Sequence, residues 1–498
     1  MKTLKKTLIV GGALLLAAGA IQYVGCDIGP LPSDVSPDMD IPLDMDAPPD
    51  LSASADMATL PAPTITGVSP IAAVNNVSTP LTITGTNFRS GATVTVGGVA
   101  CNQATVVSPT QITCTFPGKA ATCGSQGITV SEPDGQSASL AAAMGLALRS
   151  AGIGFGAPTS LPAGTNPDHV VAADFDGDGK LDLANSNRGG TVQIRFGNGD
   201  GTFAAPKDLA TGLSKPVGLI AVDLDGDGKQ DLVSADLSSD SISVLLNRGA
   251  GAFAAPVSHA VAGGPVDVAA GDFNGDGKVD LVISLNIASQ GAIRLGDGKG
   301  GFLAPAPANV SAGGSGQVAA VGDVNGDKFA DVAIAGFGSN GVYLSTGKGN
   351  GTFDAATLIP TVSQPVGVIF TDANKDGRLD LLVGNQGGTA VGLYLGKGNG
   401  TFDTGTLVTT GTSPRFTLLA DIDGDGTTDF ISSNADSNNV SLRLGNGTTF
   451  TGNTTQDYAV GMGPFSVAAG DFNRDGTIDV VTANINGNDL SVLLRQCK

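Results

Sequence analysis

From Pro216 to Val261 the chain reads PVGLIAVDLDGDGKQDLVSADLSSDSISVLLNRGAGAFAAPVSHAV. Four short strands are legible in it: one ending at Asp223, then DLVSAD, then SISVLLN, then one starting at FAAPVS. An aspartate-rich loop joins the first two. That loop recurs with first aspartates at Asp174, Asp223, Asp272, Asp323, Asp372, Asp421 and Asp471, at spacings of 49, 49, 51, 49, 49 and 50 residues. A fixed period near fifty marks a repeat architecture. Four strands per unit, seven units and no helical period predict an all-β, seven-bladed β-propeller over residues 149–498.

The ends of this region bear on whether the ring closes. The last unit stops after its third strand, at LSVLLRQCK, while an orphan fourth strand, GFGAPTSL (Gly154–Leu161), precedes the first unit. The orphan matches GTFAAPKDL (Gly201–Leu209). The N-terminal strand is therefore expected to complete the last blade, leaving few free strand edges.

In each loop, positions one, three, five and nine carry Asp or Asn. They are Asp174, Asp176, Asp178 and Asp182 in the first, and Asp223, Asp225, Asp227 and Asp231 in the second. The third has Asp272, Asn274, Asp276 and Asp280; the fourth has Asp323, Asn325, Asp327 and Asp331. The fifth has Asp372, Asn374, Asp376 and Asp380; the sixth has Asp421, Asp423, Asp425 and Asp429. The seventh has Asp471, Asn473, Asp475 and Asp479. Six or more hard oxygens, with the position-seven carbonyl among them, suit Ca²⁺ at about 2.3–2.6 Å. Up to seven ions would take the formal charge of −20 to −6. Metal-free Asp/Gly turns that merely cap strands are the alternative. The fourth loop departs from the rest, with Lys328 where the others have Gly, and is expected to bind most weakly. Lys375 and Arg474, at position four, can point outward.

These loops, with GNGDGTFAAP and its counterparts at Phe253, Phe302, Phe353 and Phe402, resemble the FG-GAP/VCBS repeats of integrin α-subunit propellers and their bacterial relatives. The nine-residue loop matches that family, which implies calcium at these positions.

Residues 1–25 read as a signal peptide, with Lys2, Lys5 and Lys6 ahead of LIVGGALLLAAGA. YVGC, ending at Cys26, resembles a bacterial lipobox, with Gly25 in pattern and Tyr23 out of it; lipidation of Cys26 is the expectation, an ordinary signal peptide or uncleaved anchor the alternative. Residues 26–61 have no basic residue and many Asp, Pro and Ser, as a disordered stalk does. Over 62–148, LTITGTNF and ATVTVGG alternate apolar and polar residues, as in a β-sandwich. PTITGVSP, LTITGTNF and VTVGGVAC resemble an IPT/TIG domain, an immunoglobulin-like module. Cys101 and Cys114 flank a hairpin-like turn and are disulfide candidates; Cys123 and Cys497 are left open.

An acidic chain with pI near 4.3 excludes a nucleic-acid partner. No catalytic set stands out, and His169 and His259 read as surface or turn histidines. The chain reads as a non-enzymatic, monomeric, calcium-binding lipoprotein, exported to the outer membrane or cell surface and acting in adhesion to an extracellular protein or glycan. A polysaccharide-degrading propeller and a structural envelope protein are the alternatives. Strand parity places the metal loops and the GNGxG turns on one rim. The turns between strands two and three, such as NSNRGG, DLSSDS and NIASQG, lie on the other. These differ from blade to blade, so the partner is expected there, the alternative being that nothing constrains these turns.

Overall fold

The computed structural model describes residues 61–70, 72–74, 78–118, 124–147, 153–211, 213–304, 306, 308–361, 364–423, 427–445, 450 and 455–497. The signal segment, Cys26, Cys123 and Asp425 lie outside them. Every regular element among these residues is a strand.

The N-terminal part is a sandwich of two sheets. Thr64–Ser69, Thr79–Thr86, Gln111–Phe116 and Asn102–Ser108 form one, in that spatial order. Ala72–Val74, Ser137–Ala147, Gly124–Ser131, Thr93–Val96 and Val99–Ala100 form the other. Alternation along each strand turns one face inward. Thus Ile112, Cys114 and Phe116 are buried with Leu81, Ile83, Ile128, Val130 and Met144. Cys101 and Cys114, the disulfide candidates, are neighbouring free thiols joined by a side-chain hydrogen bond. That bond, together with burial, pushes the Cys114 thiol up.

From residue 159 all but three short described strands form seven four-stranded antiparallel sheets. Their first strands are Pro167–Ala173, Pro216–Val222, Pro265–Gly271, Ser315–Gly322, Pro365–Thr371, Pro414–Ala420 and Pro464–Gly470. Each contacts the first strand of the next sheet, and Pro464–Gly470 returns to Pro167–Ala173, so the ring is closed. The second strands, such as Asp182–Asn187 and Asp231–Asp236, are buried along their whole length instead of on alternate residues. The reason is that apolar layers lie between neighbouring sheets: Val217, Val233 and Ile242 pack with Val268, Leu281 and Ile283. Each buried aliphatic side chain in such a layer contributes roughly 1.5–3 kcal/mol.

Closure takes the expected route. Thr159–Pro162 pairs antiparallel with Asp489–Leu493 and is the outer strand of the seventh sheet. Val170 N–H donates to Ser466 Oγ at 2.9 Å, and Asn166 Nδ2 donates to the Ile485 carbonyl at 2.7 Å, tying the first sheet to the seventh. The fourth strands begin later than the sequence suggests. In the second unit the strand is Val257–Ala260, and Phe253 sits in a separate short pairing with Asn247. Single bridges at Gly197–Phe203, Gly296–Phe302, Gly347–Phe353 and Gly396–Phe402 repeat this split. In the first two units a proline follows, Pro206 or Pro256, and it cannot donate to the ladder.

Candidate functional site

The aspartate loops curl around their own carboxylates. In the first, Asp174 Oδ1 accepts from Gly177 N–H at 2.7 Å and Oδ2 from Gly179 N–H at 2.9 Å. Asp176 Oδ1 accepts from Asp178 N–H at 3.0 Å. Positions one, three and nine converge. Asp174, Asp176 and Asp182 each bring a carboxylate oxygen within 4.8 Å of the others, as do Asp223, Asp225 and Asp231, and Asp421, Asp423 and Asp429. Burial and the facing carboxylates raise Asp176 above its usual range. Three hard oxygens this close, with like charges held together, form a donor set that fits a calcium ion. In the other four loops position three is Asn, offering a neutral carbonyl oxygen.

Position five stands apart from this group. Asp178 and Asp227 are held by the ammonium groups of Lys180 and Lys229, at 2.6 and 2.5 Å. Asp276 pairs with Lys278 at 3.2 Å and Asp376 with Arg378 at 3.0 Å. These pairs are solvent-exposed and therefore weak, so a bound dication could draw the carboxylates back.

Position nine has a second role that spacing did not reveal. All seven of these aspartates are fully buried. Asp182 accepts from Phe175 N–H at 2.9 Å and from Gly197 N–H at 2.8 Å. Asp280 accepts from Phe273 N–H at 2.8 Å and Gly296 N–H at 2.7 Å. The same pair of bonds recurs at Asp231, Asp331, Asp380, Asp429 and Asp479. One side chain thus joins the aspartate loop to the turn after strand three. Burial, with some help from neighbouring loop carboxylates, pushes Asp182, Asp231 and Asp331 up to about 6, Asp429 to about 7 and Asp479 to about 8. The turn phenylalanines then clamp one sheet to the next. Phe203 packs edge-on against Phe472 at 5.6 Å, Phe253 against Phe175 at 6.0 Å and Phe353 against Phe273 at 5.4 Å.

Lys328 has φ of 75°, a left-handed backbone costly for a residue with a Cβ. Lys375 and Arg474 carry the same strain, at 60° and 57°, with both residues exposed.

On the opposite rim residues at the second to fourth positions of the first strands come together, with Arg188, Leu237 and Asn286 beside them. They line a cavity of about 160 Å³ to which all seven sheets contribute. His169 is only 7% exposed, which overturns its reading as a surface histidine. Its Nδ1 lies 3.1 Å from Asp168 Oδ1, and its Nε2 has no hydrogen-bond partner. Asp267 Oδ1 lies 3.7 Å from that Nε2, while Oδ2 accepts from Ala319 N–H at 3.0 Å. Arg188 Nε donates to Asp168 Oδ2, and the Arg188 and Arg415 guanidiniums lie 5.5 and 5.1 Å from the Phe465 ring centre. Phe416 packs edge-on against His169 at 4.6 Å. Burial pushes the Asp267 carboxyl up to about 6. Burial acts the same way on Asp168, but the His169 bond and the Arg188 charge outweigh it and hold that carboxyl below its usual range.

An FG-GAP-like repeat profile matches residues 183–234, 223–283, 323–383, 372–432 and 421–482, just over half the chain. The chain belongs to the FG-GAP-like repeat family. An IPT/TIG domain profile matches residues 63–143 ahead of the FG-GAP repeats. A search of curated proteins gave no match. Among solved structures, the FG-GAP chain is similar to an Agrocybe aegerita lectin specific for non-reducing terminal N-acetylglucosamine, at 18% identity over 81% of this chain and 97% of that one, TM-score 0.43. It is similar to an auxiliary nutrient binding protein from Bacteroides ovatus at 13% identity over 88% and 99%, TM-score 0.41. It is also similar to the periplasmic gluconolactonase of Pseudomonas aeruginosa at 16% identity over 70% and 95%, TM-score 0.46.

The FG-GAP loops were legible residue by residue; the axial cavity was not. One signal for it existed. The dipeptides after the strand-opening proline, or after Gly316 in the fourth unit, read DH, VG, VD, QV, VG, RF and FS, and five of the seven carry a polar or aromatic residue inside otherwise apolar strands.

Proposed function

We propose that this FG-GAP protein is exported, anchored by lipid at Cys26 and stabilised by calcium, and that its propeller holds an extracellular protein or glycan on the rim opposite the metal loops. Asp174, Asp176 and Asp182, and their equivalents in the second and sixth loops, would hold the ions. Calcium would neutralise carboxylates that otherwise repel. The contrast between the rims carries the reading. The metal rim repeats one set of bonds around the ring, whereas the other rim presents different turns and an asymmetric polar cavity. That rim also exposes Ile287, at 75%, and Met462. Repetition suits a scaffold, and asymmetry suits recognition of one partner.

The test is to probe glycan and extracellular-protein arrays with the full chain, in calcium. Ile287→Asp and Met462→Asp lie on the second rim and should abolish capture without unfolding the protein. Lys348→Glu and Lys397→Glu lie on the metal rim and should not. The opposite pattern would sink the proposal. Asp168 and Asp267, pushed in opposite directions on either side of His169, favour a second reading as a polysaccharide hydrolase, since acid–base pairs are built this way. Reducing ends released from a polysaccharide panel, and lost in Asp267→Asn, would select it.

A further inference from the structure

We propose that the axial cavity on the second rim takes one terminal sugar ring, with its hydroxyls on Asp267 and His169 Nε2 and its apolar edge on Phe416. This rests on the second rim being the binding face and names what enters it. The argument begins with donors and acceptors. An ionised Asp168 has no proton to give, so the bond to His169 makes Nδ1 the donor. Nε2, on the far side of the ring, is buried and without a hydrogen-bond partner. Asp267 Oδ1 faces it at 3.7 Å, beyond hydrogen-bond reach. Two buried polar atoms that face each other without touching call for a group between them that can bond to both. Adjacent hydroxyls of one sugar, each able to donate and to accept, supply it.

Size limits the ligand. A cavity of about 160 Å³ is close to the roughly 150 Å³ that accommodates a single benzene ring, and well below the roughly 300–1,000 Å³ of drug-sized sites. The site thus has room for one ring rather than for a chain lying flat. The apolar wall is Phe416, because Arg188 and Arg415 already lie over Phe465. A zinc ion is the rival occupant. Three protein ligands are its usual minimum. Here Asp168 is taken up by Arg188 and Nδ1, leaving His169 and Asp267 alone.

The experiment uses the full chain in calcium and a panel of methyl glycosides of the common hexoses and N-acetylhexosamines, read by saturation-transfer NMR. At least one glycoside should bind. Asp267→Asn keeps the shape and removes the buried charge, so it should fold and weaken binding tenfold or more. Phe416→Leu, a second and milder variant, should weaken it several-fold. No transfer from any glycoside to folded protein overturns the proposal. So does unchanged binding in folded Asp267→Asn, or saturable zinc binding at His169 with no glycoside bound. Array capture that is lost in Ile287→Asp but kept in Asp267→Asn would refute the cavity and leave the rim standing. Capture kept in both variants would refute the rim as well.

Discussion

Replacing Asp280 by alanine separates the two roles of the aspartate loops. Asp280 is fully buried and accepts from Phe273 N–H at 2.8 Å and Gly296 N–H at 2.7 Å. Its removal leaves two buried donors unpaired, each at about 1–3 kcal/mol, so the gross cost is about 2–6 kcal/mol. Part is returned, because burial already works against the carboxylate and raises its pKa. A net loss of about 2–4 kcal/mol is expected. Asp280→Asn keeps one acceptor and should lose about half as much. Asp276→Ala is the control: that exposed residue accepts from Lys278 N–H at 3.0 Å and pairs with the Lys278 ammonium in solvent. In EDTA the control should change stability by under about 1 kcal/mol. The assay is urea unfolding of the full chain with EDTA and again with calcium. If Asp280→Ala and Asp276→Ala unfold at the same urea concentration in EDTA, position nine is not the internal link described above.

Three further outcomes are expected. Lys328→Gly relieves a left-handed backbone and should raise stability by about 1 kcal/mol, with a gain in calcium affinity at the fourth loop; an unchanged or lower midpoint would count against the strain. Asp267, raised to about 6 from an ordinary 3.8, binds a proton in the folded state that the unfolded chain releases, so its contribution improves as pH falls from 7 toward 4. By about 3 kcal/mol at most, wild type should gain on Asp267→Asn over that window; a difference independent of pH would remove the buried charge from the account. Cys101 and Cys114 are adjacent, so protein recovered from an oxidising compartment should yield neither thiol to a titrant after unfolding, whereas reduced protein should yield both.

Period and parity were readable because they are local. The fifty-residue repeat fixes which strands pair, and the truncated ends fix how the ring closes at Thr159–Pro162. What spacing could not show depends on contacts between units. Asp182 reads only as the position-nine ligand until Gly197 N–H, fifteen residues on, is seen bonded to it. FAAPVS reads as one strand until Phe253 is found packing on Phe175 of the preceding sheet. Lys375 and Arg474 align with glycines of positive φ, so their strain was available from comparing the loops, although direction alone was read from them. His169 was misread because a lone histidine carries no pattern. Its partners Asp267 and Phe416 come from sheets about 100 and 250 residues away in sequence.

The central claim is that the aspartate loops are calcium sites that hold the propeller together. The most direct measurement is metal content of the purified full chain, followed by thermal unfolding in calcium and in excess EDTA. Several bound Ca²⁺ per chain and a large fall in melting temperature on chelation are expected, because an ion bound only by the folded state stabilises it by mass action. No bound metal and an unchanged transition would contradict the claim and leave the clustered carboxylates of Asp174, Asp176 and Asp182 without a counter-charge.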